Sequence, residues 1–285
     1  MPELTVPVVE HAPAKINLAL HVTGKRPDGY HLLESLVVFT EVGDRISVAE
    51  ASHDAFEISG PFAQGLECDA SNLVLRARDA FRAHTPCSKI RITLEKNLPI
   101  ASGIGGGSSD AAATLRALAR LTGKNDDLSP LAAKLGADVP MCLPRKPLIA
   151  RGIGEIIEQI SSFPRLWLVL VNPGVHVATP LVFKGLTDPN NASLPPMPAH
   201  PDFSSLVEWL RESRNDLQIP AEALAPQIIT AMAAIASTQP AFARMSGSGA
   251  TCFGLYPNQS AAERAAATIR ARRPEWFVAA TRTLP

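Results

Sequence analysis

Residues 99–115 read "PIASGIGGGSSDAAATL", with small residues in an unbroken row from Gly105 to Ser109. A strand-like run, "KIRITLEK" (89–96), comes before this stretch, and an alanine-rich run follows it. Glycine loses more conformational freedom on ordering than any other residue, so this density needs a use. The common phosphate loop requires Lys and then Ser or Thr after its last Gly, where this chain has Ser108 and Ser109. The dinucleotide fingerprint, counted from Gly103, requires Gly at 108, which is Ser. What is left is strand, glycine loop and helix over 108–123. The first N–H groups of a helix lack backbone partners and carry partial positive charge, so they receive phosphate, and glycine lets its oxygens approach the backbone. Ser108 or Ser109 is expected to cap this helix, Asp110 to suit its first turn and Gly123 to end it.

Outward from the loop, "KINLALHV" (15–22) alternates with period two, as a strand with one apolar and one more polar face. Lys15 and Asn17 then point the same way. "KRPDGYH" (25–31) holds a Pro-Asp-Gly turn, followed by strands over "LLESLVVFTEV", "DRISVAE" (44–50) and "AFEISG" (55–60). "SNLVLRARDAFRAH" (71–84) reads as a helix capped near Ser71 or Asn72, and "SPLAAKLGAD" (129–138) as one with Ser as N-cap and Pro next. Asp138 falls just beyond it. Further strands are expected near 155–160, 166–172 and the C-terminus. Helices are expected from Thr179 and at about 203–213, 226–237 and 260–273. Residues 185–202 contain five prolines and read as loop. The mixture is α+β rather than a regular βαβ alternation.

At 285 residues, two domains are expected, divided as 1–158 and 159–285. Lys plus Arg equals Asp plus Glu at 27 each, so nothing in the charge points to nucleic acid or a membrane surface. Runs such as "LWLVLV" are too short to span a bilayer. The N-terminal stretch has no basic-then-apolar signal pattern, and a cytoplasmic location is expected. The four cysteines form neither a CxxC pair nor a zinc spacing and are expected as small buried hydrophobes in a reducing compartment. No obligatory protein partner is indicated.

Lys15, the glycine loop and Asp138 each have an ordinary structural use. Together they are the parts of a phosphotransferase. The loop holds the triphosphate, the acid takes the proton of the attacking hydroxyl and the cation steadies the charge.

"PAKINLALHVTGKRPDGYHLLESLVVF" (13–39), "LPIASGIGGGSSDAAATLRAL" (98–118), "GADVPMCL" (136–143) and "RMSGSGATCFGLY" (244–256) resemble the signatures of the GHMP kinase superfamily, in order over most of the chain. The opening "PAKINLxL…RPDGYH" is the specific part. It resembles the branch whose acceptor is a cytidine diphosphate-linked methylerythritol, in non-mevalonate isoprenoid synthesis. The resemblance implies a two-domain α+β fold with the site in an inter-domain cleft, ATP and Mg²⁺, and phosphorylation of a tertiary 2-hydroxyl on that small-molecule substrate. It places the catalytic pair on Lys15 and Asp138. The nucleotide falls on Pro99, Ile100, Ala101, Ser102, Gly103, Ile104, Gly105, Gly106, Gly107, Ser108 and Ser109, with Asn72 on the adenine side. The acceptor falls on Asn17, Tyr30, His31, Thr179, Pro180 and Phe183, with Tyr30 and Phe183 on either side of the cytosine ring. Gly247, in "SGSG", falls near the substrate. Ser108 or Ser109 is a candidate oxygen for Mg²⁺, and no acidic ligand is assigned.

Other readings stay open. A kinase of homoserine or mevalonate would share the loop and "SGSG" but lack "RPDGYH". A nucleotide-sensing module would need neither Lys15 nor Asp138. A dehydrogenase is disfavoured by the glycine spacing, and a serine hydrolase because "MSGSGA" does not give Gly-x-Ser-x-Gly around Ser248.

Overall fold

A computed structural model describes residues 6–285; the first five, part of the stretch in which no targeting signal is expected, lie outside the described residues. The backbone divides into two compact units, each built from separated segments.

Unit 1 comprises the segment ending at Ala14, Gly43–Ile100 and Gly105–Pro144. Strand β1 (Val8–Lys25) begins here and β2 (His31–Glu50) ends here. The second half of β2 pairs antiparallel with β4 (Ile90–Glu95), from Arg45 opposite Glu95 to Glu50 opposite Ile90. β3 (Ala55–Ser59) pairs parallel with β4 on its other edge. Alternate residues Ile46, Val48, Ile92 and Leu94 are buried. Helices α1 (Leu73–His84), α2 (Gly106–Thr122), α3 (Ser129–Leu135) and α4 (Val139–Cys142) pack on one another. The α2 helix is buried over most of its surface from Ser109 to Ala119, and its alanines allow close packing. Arg116 on α2 donates to Glu10 and to the carbonyls of His11 and Cys142, tying together β1, α2 and the end of α4.

Unit 2 comprises Lys15–Val42, Ala101–Ile104 and Arg145–Pro285. The first half of β2 pairs antiparallel with β5 (Leu148–Gly152), which pairs with β6 (Ile156–Gln159). A four-stranded antiparallel sheet runs in the order β10 (Phe277–Arg282), β7 (Trp167–Asn172), β9 (Cys252–Tyr256), β8 (Phe242–Met245). Leu168 to Val171 on the central β7 are all buried, as an inner strand covered on both faces requires. Helices α8 (Gln227–Ala236) and α9 (Gln259–Arg272) cover it, with Ile228, Ile235 and Ile269 in the core. The remaining helices are α5 (Thr179–Lys184), α6 (Phe203–Glu212), closed by a capping box of Asp202 and Ser205, and α7 (Gln218–Leu224). Among the described residues no single helix is long and apolar enough to cross a membrane.

Several expectations need correction. The strands expected at "LLESLVVFTEV" and 44–50 are one strand, β2, which runs through Gly43. A Cβ there would collide with the Ala12–Pro13 backbone, so glycine lets β1 lie close. Every residue from Ala12 to Val22 is buried, so β1 has two covered faces rather than one polar one. The α2 helix starts at Gly106, with Gly105 in the left-handed conformation (φ 65°), so neither Ser108 nor Ser109 is its cap. Ser129 is the first residue of α3 rather than its cap, since Ala132 N–H already donates to Leu128 O. β5, β8, α4 and α7 went unexpected, each being short.

The proline-rich 185–202 loop has no regular secondary structure and is fastened to β1. Asn191 N–H donates to Val22 O, and His21 on β1 meets Ala192 O at 2.9 Å through Nδ1. His21 Nε2 accepts from Arg214 N–H at 2.8 Å, which requires an unprotonated nitrogen there. Burial holds the His21 pKa below its ordinary value. A depressed histidine pKa means the unfolded chain binds the proton more readily, so stability is lost as pH falls through about 6.5. Urea midpoints measured between pH 7.5 and 5.5 are expected to fall, and His21→Asn to flatten that dependence.

Candidate active site

In unit 1 the glycine loop enters α2 beside the start of α1. Asn72 caps α1, its side chain accepting from Val74 N–H at 3.0 Å, as the sequence indicated. A Cβ on Gly107 would touch Leu73 at 3.5 Å, so the two helix starts lie against each other. Gly107 is exposed and Ser108 half-buried, which leaves the first turn of α2 open to an anion, whereas Pro99 is buried and Ile100 exposed. Ser109 Oγ is buried without a hydrogen-bond partner. Asp138, half-buried, immediately precedes α4, at the position of its N-cap.

Beneath this turn lies a charge cluster that sequence reading missed. Lys96, 3% exposed, donates to Asp44 and, at 2.7 Å, to Asp110. Asp44 Oδ1 also accepts from Asn97 N–H and Leu98 N–H, fixing the chain as it leaves β4 toward the loop. A Cβ on Gly106 would sit 3.0 Å from Lys96 Nζ, so glycine lets the helix start rest on the ammonium. Burial opposes the charge on Lys96, but Asp110 and Asp44 outweigh it and hold its pKa above the ordinary value. Burial pushes Asp110 up to about 7 against the pull of Lys96, with Asp44 adding to the rise. Asp110 therefore serves the lysine rather than the helix dipole.

In unit 2 the chain brings together Lys15, Asn17, Ser102 to Ile104 and the "SGSG" turn. Lys15 N–H donates to Ile104 O at 2.8 Å, tying its backbone to the glycine loop just before Gly105. Asn17 N–H donates to Ser246 Oγ at 3.0 Å, and Ser246 Oγ donates to Gly103 O at 3.3 Å. Thr251 N–H donates to Ser102 O. Gly103 and Gly247 have positive φ, and a Cβ on Gly247 would meet Gly103 O at 2.9 Å and Asn17 Oδ1 at 3.2 Å. Asn17 Nδ2 donates to Ser35, while its Oδ1 is buried without a partner. Ala101 is exposed with φ 49°, an uncommon conformation for a residue with a side chain.

Farther along unit 2, Thr179 and Ser248 share a hydrogen bond of 2.8 Å, joining the start of α5 to the same turn. Thr179 and Pro180 are exposed. Phe183 stacks on His31, with centroids 4.9 Å apart and planes at 22°. Burial and the nearby Lys25 charge lower the His31 pKa. Tyr30 is 61% exposed on the turn closed by Arg26 N–H to Tyr30 O, so the ring against Phe183 is His31.

The GHMP kinases N terminal domain matches residues 72–145, and the GHMP kinases C terminal domain matches residues 197–274. The chain belongs to the GHMP kinase family. A Mesorhizobium japonicum relative named 4-diphosphocytidyl-2-C-methyl-D-erythritol kinase is 54% identical over 280 residues, covering 96% of this chain and 95% of the relative. A Brucella melitensis protein of the same name is 53% identical over 283 residues, covering 96% and 94%. A crystal structure of 4-(cytidine 5'-diphospho)-2C-methyl-D-erythritol kinase superimposes with TM-score 0.79 at 33% identity, covering 97% of this chain and all of that one. A homoserine kinase from Cytophaga hutchinsonii, at TM-score 0.69 and 17% identity over 98% and 94% of the two chains, shares the GHMP kinase fold.

Removing Lys96 from this family member leaves two buried carboxylates without a cation, so Lys96→Met is expected to cost about 3–5 kcal/mol in urea unfolding. Asp110→Asn keeps a neutral acceptor. Because the raised carboxyl pKa favours the folded state only while protonated, that advantage fades as pH rises through 7. The Asn variant is expected to gain stability relative to wild type between pH 6 and 8.

Proposed function

We propose that this chain transfers the γ-phosphoryl group of ATP to the 2-hydroxyl of 4-diphosphocytidyl-2-C-methyl-D-erythritol, in non-mevalonate isoprenoid precursor biosynthesis. The observation that carries this reading is 54% identity over 96% of the chain to an enzyme of that name. The specific "RPDGYH" segment, intact at 26–31, supports it. The two family matches fall on either side of the division expected near residue 158, whereas the compact units are not consecutive halves, since 15–42, 101–104 and everything from Arg145 belong to unit 2.

Residues 99–109 and Asn72 receive the nucleotide. Support comes from the open first turn of α2 and from Gly106 and Gly107, whose missing side chains leave the backbone bare. Among the described residues no group of three or more His, Cys, Asp or Glu is arranged to hold a metal. Mg²⁺ would be held mainly by the nucleotide phosphates and water, with Ser108 or Ser109 as the candidate protein oxygen. When bound, the ion neutralises phosphate charge.

The acceptor is received in unit 2. Asn17 Oδ1, a buried acceptor with no donor, costs about 1–3 kcal/mol in isolation and is matched by a substrate hydroxyl. His31, Phe183 and Tyr30 offer flat surface to cytosine, and an uncharged imidazole both donates to and accepts from its polar edge. Thr179, Pro180 and Gly247 flank it. Asp138 accepts the hydroxyl proton. A carboxylate is a weak base toward an alcohol, so the proton moves late, as a loose transition state allows. Lys15 supplies positive charge to the reacting oxygens.

Coupled ADP release is the test, with the cytidyl acceptor offered beside homoserine and mevalonate. Turnover is expected on the cytidyl acceptor alone, and Asp138→Asn is expected to lower kcat by ~10²–10⁴-fold with the ATP KM unchanged. Turnover confined to another alcohol would reject this acceptor, and full activity in the Asn variant would reject the base.

A further inference from the structure

Asn215, buried and without an assigned role, sits between the strand that carries Lys15 and Asn17 and the turn that carries Gly247. Residues 214–216 run parallel to β1. Leu20 N–H donates to Arg214 O at 2.8 Å, Asp216 N–H donates to Leu20 O at 2.9 Å, and Val22 N–H donates to Asp216 Oδ2 at 2.8 Å. From this backbone position the Asn215 side chain crosses to the other element. Its Nδ2 donates both of its protons, to Met245 O and to Gly247 O, each at 2.8 Å. Its Oδ1 accepts from Leu217 N–H at 3.0 Å. Both donors are thus used, and the residue is only 7% exposed.

The turn held in this way touches Asn17 and Thr179 on the acceptor side, and Gly103 of the glycine loop. Ser246 bonds Asn17 and Gly103, Gly247 sits where an added Cβ would come within 3.2 Å of Asn17 Oδ1, and Ser248 bonds Thr179 at the head of the helix that carries Phe183. A shift of the two clamped carbonyls is passed to Asn17 and Thr179 through these bonds. We infer that Asn215 is a positioning residue for the alcohol acceptor, setting the register between the Lys15–Asn17 strand and the 246–249 turn. The inference rests on the acceptor reading above. It adds a residue that touches neither reactant in that reading and acts through Gly247 and Ser246.

Aspartate has nearly the shape of asparagine but, ionised, donates nothing. At position 215 it would set a carboxylate against two carbonyl oxygens. Asn215→Asp is expected to raise the acceptor KM about tenfold or more and to lower kcat, with the ATP KM changed far less. A merely structural role would reduce the fraction of active molecules and leave the acceptor KM alone, so kcat is normalised to sites competent for ATP binding. Asn215→Ser, uncharged and shorter, is measured beside it in case the Asp variant does not fold.

Amide hydrogen exchange gives a readout independent of turnover. The Asn17 and Gly249 amides, which donate to Ser246 Oγ and Ser246 O, are expected to exchange about tenfold faster or more in the folded variant, with β7 and β9 unchanged. An unchanged acceptor KM with unchanged exchange overturns the inference, as does failure of both variants to fold. If wild type phosphorylates a different alcohol, the acceptor reading falls and the KM of that alcohol is read instead. If it phosphorylates none, exchange alone decides.

Discussion

The hydrogen bond from Lys15 N–H to Ile104 O, 2.8 Å long, joins the start of the "KINLALHV" strand to the last residue before the glycine turn. Ile104 is fully buried, so this bond is shielded from water and its loss would leave two backbone groups unsatisfied. Through it, the lysine and the glycine loop are held by backbone rather than by flexible side chains. The same economy recurs two residues along, where Asn17 N–H finds Ser246 Oγ. A strand with both faces covered has little freedom to slide, since a one-residue slip would exchange every side chain between its faces. The positions of Lys15 and Asn17 are therefore consequences of packing along β1.

The other half of the loop rests on charge. Lys96 lies under the first turn of α2, where the partial positive charge of the helix start already repels a cation. Two aspartates make the ammonium tolerable there, and Asp44 doubles as a cap for Asn97 and Leu98. Asp110 keeps one buried oxygen without a donor. This arrangement adds little stability by itself, because desolvation consumes most of what attraction returns. What it supplies is a fixed floor for Gly106, so that the backbone of the first turn of α2 is held in one place.

Much of this was legible in the residues. A cap at Ser71 or Asn72, of which the fold uses Asn72, a helix end at Gly123 and a strand in the period-two run from Lys15 were all visible. The glycine loop and the "RPDGYH" turn gave the family before any fold was known. The site is only partly written in that way. The two-sided burial of β1 depends on partners such as Ser246, 229 residues away. Lys96 meets Asp44 across 52 residues and looked like an ordinary strand-end lysine. Asn215, in "SRNDLQ", has the appearance of a turn residue. Local pattern carries propensity and periodicity, whereas a buried polar partner is defined only by the fold that buries it. The His31–Phe183 stack was missed for the same reason.

The strand path has a consequence for how the chain is made. Residues 15–42 belong to unit 2, yet they are synthesised before nearly all of unit 1 and long before β7, β9 and β10. Near the far end, Leu284 N–H donates to Phe39 O, and Thr40 bridges Thr283. At synthesis rates of roughly 5–20 residues per second, an early strand waits on the order of ten seconds or more for such a partner. During that interval Leu36, Val37, Val38 and Phe39, all destined for the core, have no finished unit to enter. The newborn chain thus carries an apolar strand in search of a mate, the kind of segment that chaperones shield and that crowded ribosomes place at risk of pairing with a neighbour.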